Sequence, residues 1–185
     1  MLKDAILNRR SVFPNQFSDK KIAKDQINEL LEMANWAPTH RKTQPWRFKV
    51  FKDDALSLLA DFVTKAYTKD TPADKFSDFK LKKSIQKIET SGAVIAICMQ
   101  RDPKSSIPEW EEVAATAMAV QNLWLMAGEM GLGGYWSSPG YTKEMNVDLK
   151  LEEGERCLGF FYLGVYEGEQ LIGERDTVAS KTTWF

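Results

Sequence analysis

A long apolar helix predicted over residues 106–130 constrains the fold of this 185-residue sequence more than any other feature. Its start, Ser106-Ile107-Pro108-Glu109, matches a capping box with proline in the first turn, and Gly131 suits the left-handed position after the helix. Few side chains over 113–130 are clearly polar, so most of the helix surface must be covered. A central core helix in a monomer would satisfy this, but the size of the chain favours cover by a second subunit in a homodimer.

The composition fits a single domain over residues 1–185. The formal net charge is −1 and the pI is about 6.0, so the chain lacks the excess of basic residues that is typical of nucleic-acid-binding proteins. The N-terminus becomes charged too early for a signal peptide, and no apolar run is long enough to span a bilayer. We therefore expect a cytoplasmic protein without nucleic-acid or membrane partners. Cys98 and Cys157 lie in apolar runs and are expected to be free thiols, with a disulfide between them left open.

The remaining elements follow from hydrophobic periodicity and from proline and glycine positions. Residues 93–99 form an apolar run typical of a central strand covered on both faces. Gly159 and Gly164 in the last strand would let another backbone or a flat ligand approach closely. Residues 67–78 are predicted to be a mobile polar segment, and 167–185 a polar tail whose terminal aromatic pair docks on another surface. Helices are predicted at 2–9, 22–35, 54–66, 81–88 and 142–149, and strands at 46–51, 93–99, 134–137 and 157–166.

Several function classes lack their sequence signature. The single histidine, His40, has no clustered cysteines or further histidines around it, so a dedicated zinc or iron–sulfur site is not indicated. No nucleophile-elbow motif accompanies His40, so a serine–histidine–aspartate triad is not indicated. The glycines of 131–134 follow a helix instead of opening one, which does not fit a dinucleotide fingerprint, and a Walker loop is absent.

Three polar clusters could carry binding chemistry. Arg9-Arg10-Ser11 offers two guanidinium groups and a hydroxyl, which suit a phosphate, although the helix dipole alone could favour cations there. His40 is followed by cations and by Gln44, whose amide could pair with a heterocycle edge; an exposed surface loop is the alternative. Residues 133–140 surround an aromatic pair with small residues and hydroxyls, which could seat a planar ring or simply join a helix to a strand.

The order of these clusters resembles the nitroreductase-like flavoproteins, in particular a subgroup of small bacterial members. The shared pattern runs RRS, APTH followed by QPWRF, PEWEE, GLGGYWSS and LGFFYLG. The resemblance implies an α+β fold, with a mixed, mainly antiparallel sheet flanked by helices, in an intertwined homodimer. It also implies two FMN sites at the subunit interface, NADH or NADPH as electron donor, and nitroaromatic, quinone or similar electron-poor acceptors in a two-step reaction.

The resemblance also implies roles for individual residues, with no side chain assigned as catalytic because the flavin carries the chemistry. Phosphate and ribityl would be held in one subunit by Arg9, Arg10 and Ser11, while the other subunit would contribute Trp36 and His40. The flavin would be lined by Trp136, Ser137 and Ser138. Gln44 is added for its place in the QPW motif and for its chemistry. The nicotinamide cofactor would lie near the helix end, at Met126, Ala127, Gly128, Glu129, Met130 and Gly131.

The sequence departs from its close relatives at two points. Trp36 stands where they have arginine, and Trp136-Ser137-Ser138 replaces a Trp-Arg-Ser pattern. Because cations near flavin N1 favour its reduced state, we expect a lower flavin potential than in those relatives. Larger family members also bind phosphate with a basic residue near the C-terminus; Lys181 is considered for this role without an assignment.

Other functions remain open at this point. The same fold could support another reductive reaction, such as reductive dehalogenation, or flavin-linked dehydrogenation of a metabolite. It could also serve as a flavin-binding or sensory protein with little turnover. A dimeric interaction domain without a cofactor is the fourth possibility.

Overall fold

The computed structural model describes residues 2–185, which form helices on both sides of one sheet. The α-helices are α1 (Leu2–Asn8), α2 (Lys24–Asn35), α3 (Asp54–Asp70), α4 (Asp78–Glu89) and α5 (Glu109–Glu129). The strands are β1 (Trp46–Lys52), β2 (Ala93–Gln100), β3 (Leu132–Ser137) and β4 (Glu155–Val165). Short 3-10 turns occupy Pro14–Gln16, His40–Lys42, Ala73–Lys75, Gly140–Glu144 and Val178–Lys181.

The strands pair in the order β1-β2-β4-β3, and each neighbouring pair is antiparallel. This confirms the predicted α+β class with a mainly antiparallel sheet. A parallel contact is made by an isolated bridge between Ser11 and Gly134, next to which the Val12 amide donates to the Gly134 carbonyl at 3.0 Å. The segment after α1 is thereby fixed to the edge strand β3.

Two hydrophobic cores lie on opposite faces of the sheet. One joins the sheet to α2 and α5 through residues such as Leu30, Leu123 and Phe161. The other joins it to α3 and α4 through residues such as Leu59, Ile88 and Tyr162. Because β2 contributes alternate side chains to both cores, it is buried almost throughout, as predicted for a central strand.

Close approaches at two glycines of β4 confirm what their positions predicted. A Cβ at Gly164 would lie 2.1 Å from Cγ of Phe17, and one at Gly159 would lie 2.2 Å from the Ser137 carbonyl oxygen. Gly159 also has a φ of +141°, a backbone conformation that residues other than glycine rarely adopt. The approaching groups are thus a ring at Gly164 and a neighbouring backbone at Gly159.

The predicted capping box at the start of α5 is wrong. The helix begins at Glu109 with Pro108 in the N-cap position, so Ser106 lies outside it. The Ser106 hydroxyl instead donates to Asp102, and the fully buried Glu112 carboxylate pairs with Arg101 and accepts from the Asp102 amide. These bonds fix the preceding loop to the first turn of α5, but no side chain caps the helix.

Two other segments differ from their predictions. Residues 142–149 form a 3-10 turn over Gly140–Glu144 followed by turns, because the Thr142 hydroxyl donates to the Pro139 carbonyl and local turn bonds replace a continuous helix. The predicted mobile stretch 67–78 is largely ordered structure: α3 continues to Asp70 because Tyr67 is buried against Tyr141 and Phe76.

The end of α5 and the cysteines agree with expectation. Gly131 has a φ of +71° directly after the C-cap residue Met130. Cys98 and Cys157 face each other across β2 and β4, and both are free thiols. Within residues 2–185, none of the helices has the length and apolar character required to cross a membrane.

Candidate functional site

A cavity of about 350 Å³ lies between the end of α1, the last turns of α5 and the segment that follows β4. It brings the first predicted cluster together with the predicted nicotinamide region. Its walls include Asn8, Arg9, Arg10, Trp124, Leu125, Gly128, Glu129, Gly131, Tyr166, Gln170 and Leu171.

Arg9 follows the last turn of α1 and places its guanidinium over the ring of Trp124, with Cζ 4.4 Å from the ring centroid. Its Nη1 atom is buried and makes no hydrogen bond within the described residues. Burial lowers the pKa of Arg9, and the neighbouring cations Arg175 and Arg10 lower it further. A negatively charged ligand would relieve both effects.

Arg10 lies beside Arg9 and is partly tied to the backbone. Its Nη1 donates to the carbonyls of Leu7 and Arg9 at 2.8 and 2.7 Å, while its Nε is buried without an acceptor in the described chain. The backbone of Gly173 packs directly on it, since a Cβ there would be 2.3 Å from the guanidinium carbon. The tail thus crosses the arginine pair and carries Arg175 close enough to perturb Arg9.

The third predicted cluster lies on the sheet beside the first. Ser11 bridges to Gly134, and the alternation of β3 places Trp136 on the same face as Gly134. A Cβ at Gly134 would be 2.3 Å from the Phe161 ring and 3.3 Å from Trp124 Nε1, so glycine is required for this packing. The indole nitrogen of Trp136 is buried without a hydrogen-bond partner in the described residues. Ser137 and Ser138 follow, and Ser138 is exposed.

The donor set fits an anionic ligand rich in hydrogen-bond acceptors. Within residues 2–185, buried N–H groups without an acceptor occur on Arg9, Arg10 and Trp136 of this region, and also on Trp124, whose Nε1 packs against Gly134. Buried donors are normally paired, so such a group points to a ligand that supplies oxygen or nitrogen acceptors. Guanidinium groups bind phosphate oxygens through parallel charge-assisted bonds. FMN carries a phosphate and an acceptor-rich ring, and these residues fit both.

The predicted nicotinamide region surrounds one end of the cavity. Gly128, Glu129 and Gly131 line it directly. Met126 faces a neighbouring apolar groove, and Ala127 is buried in the core beneath. Met130 is partly buried and packs against that core.

His40 and Gln44 do not reach this cavity within one chain. His40 Nδ1 lies 2.5 Å from the Glu111 carboxylate at the start of α5. Glu111 and Trp124 are thirteen residues apart on that helix, or about 20 Å along its axis. Gln44, with a φ of +44°, lines a separate cleft of about 420 Å³ beside Asn35 and Trp46.

Trp36 does not line the cavity of the arginine pair but borders an adjoining groove. Its ring is 76% exposed, and its indole nitrogen donates to Glu32 at 2.9 Å. It borders an apolar groove of about 380 Å³ that also includes Leu2, Ala5 and Met126. An exposed tryptophan beside an apolar groove is a feature of surfaces that contact another protein.

Sequence reasoning missed two residues at the cavity. The apolar composition of 113–130 predicts burial for Trp124, and no motif marks it as a site residue. Arg175 is the second missed residue. Its positive charge in the polar tail is the only sequence feature that suggests a phosphate contact. Lys181, which was considered, pairs with Asp176 at 3.1 Å.

Comparisons with known proteins identify relatives over the whole chain. A model described as the nitroreductase family matches residues 6–165. YfhC of Bacillus subtilis (strain 168), named as a candidate NAD(P)H nitroreductase, is 28% identical over 193 residues, covering 99% of this chain and 93% of YfhC. A nitroreductase-like family protein from Bacillus cereus superposes with a TM-score of 0.84 at 28% identity, covering 100% and 96% of the two chains. The FMN-dependent nitroreductase NfnB from Mycobacterium smegmatis, solved with NADPH, shares the fold with a TM-score of 0.78 at 15% identity, covering 99% and 97%.

Proposed function

The chain belongs to the nitroreductase family, and from this premise we propose that it is an FMN-dependent oxidoreductase using NADH or NADPH. Its acceptors are nitroaromatics, quinones or similar electron-poor compounds. The observation that carries the proposal is the group of buried N–H donors around Arg9 and Arg10, which have no acceptor within the described residues. The family relationship supports the same cofactor, since NfnB is FMN-dependent and was solved with NADPH.

In this proposal the whole chain, 1–185, serves as one FMN-binding domain. FMN, when bound, would supply the redox chemistry that links the nicotinamide donor to the electron acceptor. Arg9, Arg10 and Ser11 bind the phosphate and ribityl groups, and Arg175 adds a third guanidinium from the tail. Trp136, Ser137 and Ser138 line the ring, with Trp136 offering its unpaired indole N–H to a ring acceptor.

The nicotinamide would bind beside the end of α5, because Gly128, Glu129 and Gly131 already line the arginine cavity. A glycine at 128 leaves open space, since a Cβ there would meet no atom within 4 Å. This end of the helix therefore offers room for a second planar ring next to the first.

A homodimer would complete the site. His40, Trp36 and Gln44 do not line the cavity of the arginine pair in their own chain, so we propose that they act on the partner's flavin. Glu111 would orient His40 by holding Nδ1, which directs Nε2 toward the ligand. Large exposed apolar side chains on α1, α5 and the tail offer the contact surface: Leu2, Ile6, Leu7, Met118, Ile172, Trp184 and Phe185.

The test begins with the colour and anaerobic chemistry of the purified protein. We expect bound FMN, bleaching by NADH or NADPH without oxygen, and recovery of colour on adding a nitroaromatic or quinone. Arg10→Gln should lose FMN, whereas Lys82→Gln on the exposed side of α4 should not. A protein that fails to take up FMN, or that holds it without bleaching, would contradict the proposal.

A further inference from the structure

We propose that Trp124 is a positioning residue that holds the Arg9 guanidinium in its phosphate-binding orientation, an inference that rests on the proposed FMN site. The two groups are stacked, with the guanidinium carbon 4.4 Å from the ring centroid. Arginine over an indole face is the most favourable form of cation–π contact.

The indole is the contact that fixes the Arg9 side chain. The Arg9 amide donates to the Ala5 carbonyl at 3.0 Å, but Nη1 of its guanidinium is buried and makes no hydrogen bond within residues 2–185. A long side chain with free rotamers would otherwise lose orientation and would have to regain it on binding. Stacking on the half-buried ring of Trp124 supplies that order before the ligand arrives.

Trp124 is itself held rigidly. Its ring meets the fully buried Phe161 edge-on, with centroids 5.2 Å apart and planes at 85°. Gly134 lacks the Cβ that would collide with the Phe161 ring and crowd Nε1 of Trp124. The platform under Arg9 is therefore part of the hydrophobic core.

An aromatic ring suits this role better than a carboxylate would. Arg10 and Arg175 repel the Arg9 charge, and burial also disfavours it. A carboxylate would neutralise Arg9 and compete with the phosphate for the same N–H groups. The face of the indole attracts the cation but occupies none of those donors, so they remain available to the ligand.

The test is a double-mutant cycle on ligand affinity in the full-length chain stripped of flavin. Dissociation constants for FMN and for riboflavin, which lacks the phosphate, are measured for Trp124→Leu, Arg9→Gln and the double variant. Trp124→Leu should weaken FMN binding roughly 10-fold and change riboflavin binding less than about 2-fold. Trp124→Phe keeps a ring face and should stay within about 3-fold of the wild type for FMN. In the Arg9→Gln background, Trp124→Leu should add less than about a further 2-fold.

Trp110→Leu, at an exposed position near the start of α5, is the matched control and should leave the FMN-to-riboflavin ratio unchanged. Thermal unfolding confirms that each variant is folded, and Trp124→Met replaces Trp124→Leu in the cycle if the latter is not. Equal losses for FMN and riboflavin, or effects of the two substitutions that simply multiply, would overturn the positioning role. A wild type that binds riboflavin as tightly as FMN would instead refute the proposed phosphate site.

Discussion

Individual guanidinium groups decide what the cavity beside α1 can bind. Arg9 and Arg10 come from adjacent positions, and Arg175 reaches them from the tail. Three like charges in one place repel each other unless an anion lies between them. A phosphate supplies the oxygens that their buried N–H groups lack.

Arg175 should contribute to FMN affinity through the phosphate alone. Arg175→Gln is expected to weaken FMN binding by roughly 5- to 10-fold, since an exposed charge-assisted bond is worth about 1 kcal/mol, and to leave riboflavin binding unchanged. Lys181→Gln is the control, because that side chain lies in the same tail but pairs with Asp176. Equal effects of the two substitutions on FMN affinity would contradict the assignment.

The flavin potential should respond to charge at position 36. Trp36 is exposed, so arginine fits there without displacing the core. If residue 36 approaches the flavin of the partner subunit, Trp36→Arg should raise the midpoint potential by about 30 mV, or about 1.4 kcal/mol for two electrons. Trp110→Arg adds the same charge at another exposed tryptophan and should have little effect. A potentiometric titration giving equal potentials for Trp36→Arg and the wild type would exclude this placement.

The motif residues could be predicted from sequence, but their platform could not. Arg9-Arg10-Ser11 and Trp136 stand out by type and order. Trp124 is invisible to such reasoning because its partner lies more than a hundred positions away, and only folding brings α1 and α5 together. Arg175 could not be predicted as a site residue, because the composition of an irregular tail does not show where the tail packs.

At the scale of elements, β3 and α5 border the site, and each carries a glycine there. Gly134 on β3 is tightly packed, whereas Gly128 on α5 is not. Gly134→Ala would force a Cβ to within 2.3 Å of Phe161, whereas Gly128 on α5 has open space around it.

This contrast gives a stability prediction. Gly134→Ala should lower the free energy of unfolding by about 1–3 kcal/mol, because the core must shift, and reduce Tm by roughly 3–9 °C. Gly128→Ala should instead raise Tm by roughly 1–3 °C, because alanine suits a helix interior better than glycine. Thermal unfolding at one protein concentration checks both. A Gly134→Ala variant as stable as the wild type would show that β3 does not pack as described.

Elements with a strong repeating pattern were predictable, and those fixed by local side-chain bonds were not. The periodic apolar face of α2, the long apolar stretch of α5 and the apolar run of β2 mark these elements clearly. Tyr141, Met145 and Leu149 are buried and have helical spacing, yet a 3-10 turn and further turns place them in the core instead of a continuous helix. The start of α5 was misplaced because Ser106 bonds to Asp102, a competition that sequence patterns do not resolve.

At the scale of the whole molecule, two features favour a homodimer: the exposed apolar surface and the distance between the proposed site residues within one chain. Trp184 is 92% exposed and Phe185 is fully exposed, which is unfavourable for a tail that contacts nothing. Within one chain, His40 contacts the start of α5, whereas the arginine pair packs near its end. A partner related by a twofold axis would cover the exposed apolar side chains and would bring His40 of one chain to the arginine pair of the other. The cytoplasmic location inferred from composition stays a prediction.

Subunit complementation tests this central claim most directly. Arg10→Gln and His40→Ala chains, each weakened in FMN binding alone, are combined into heterodimers through two affinity tags. If each site takes Arg10 from one subunit and His40 from the other, one site of the heterodimer carries both substitutions and the other carries none. The account predicts one FMN per heterodimer bound with wild-type affinity. Heterodimers without a wild-type site would show that both residues act within one chain, and an obligate monomer would refute the shared site altogether.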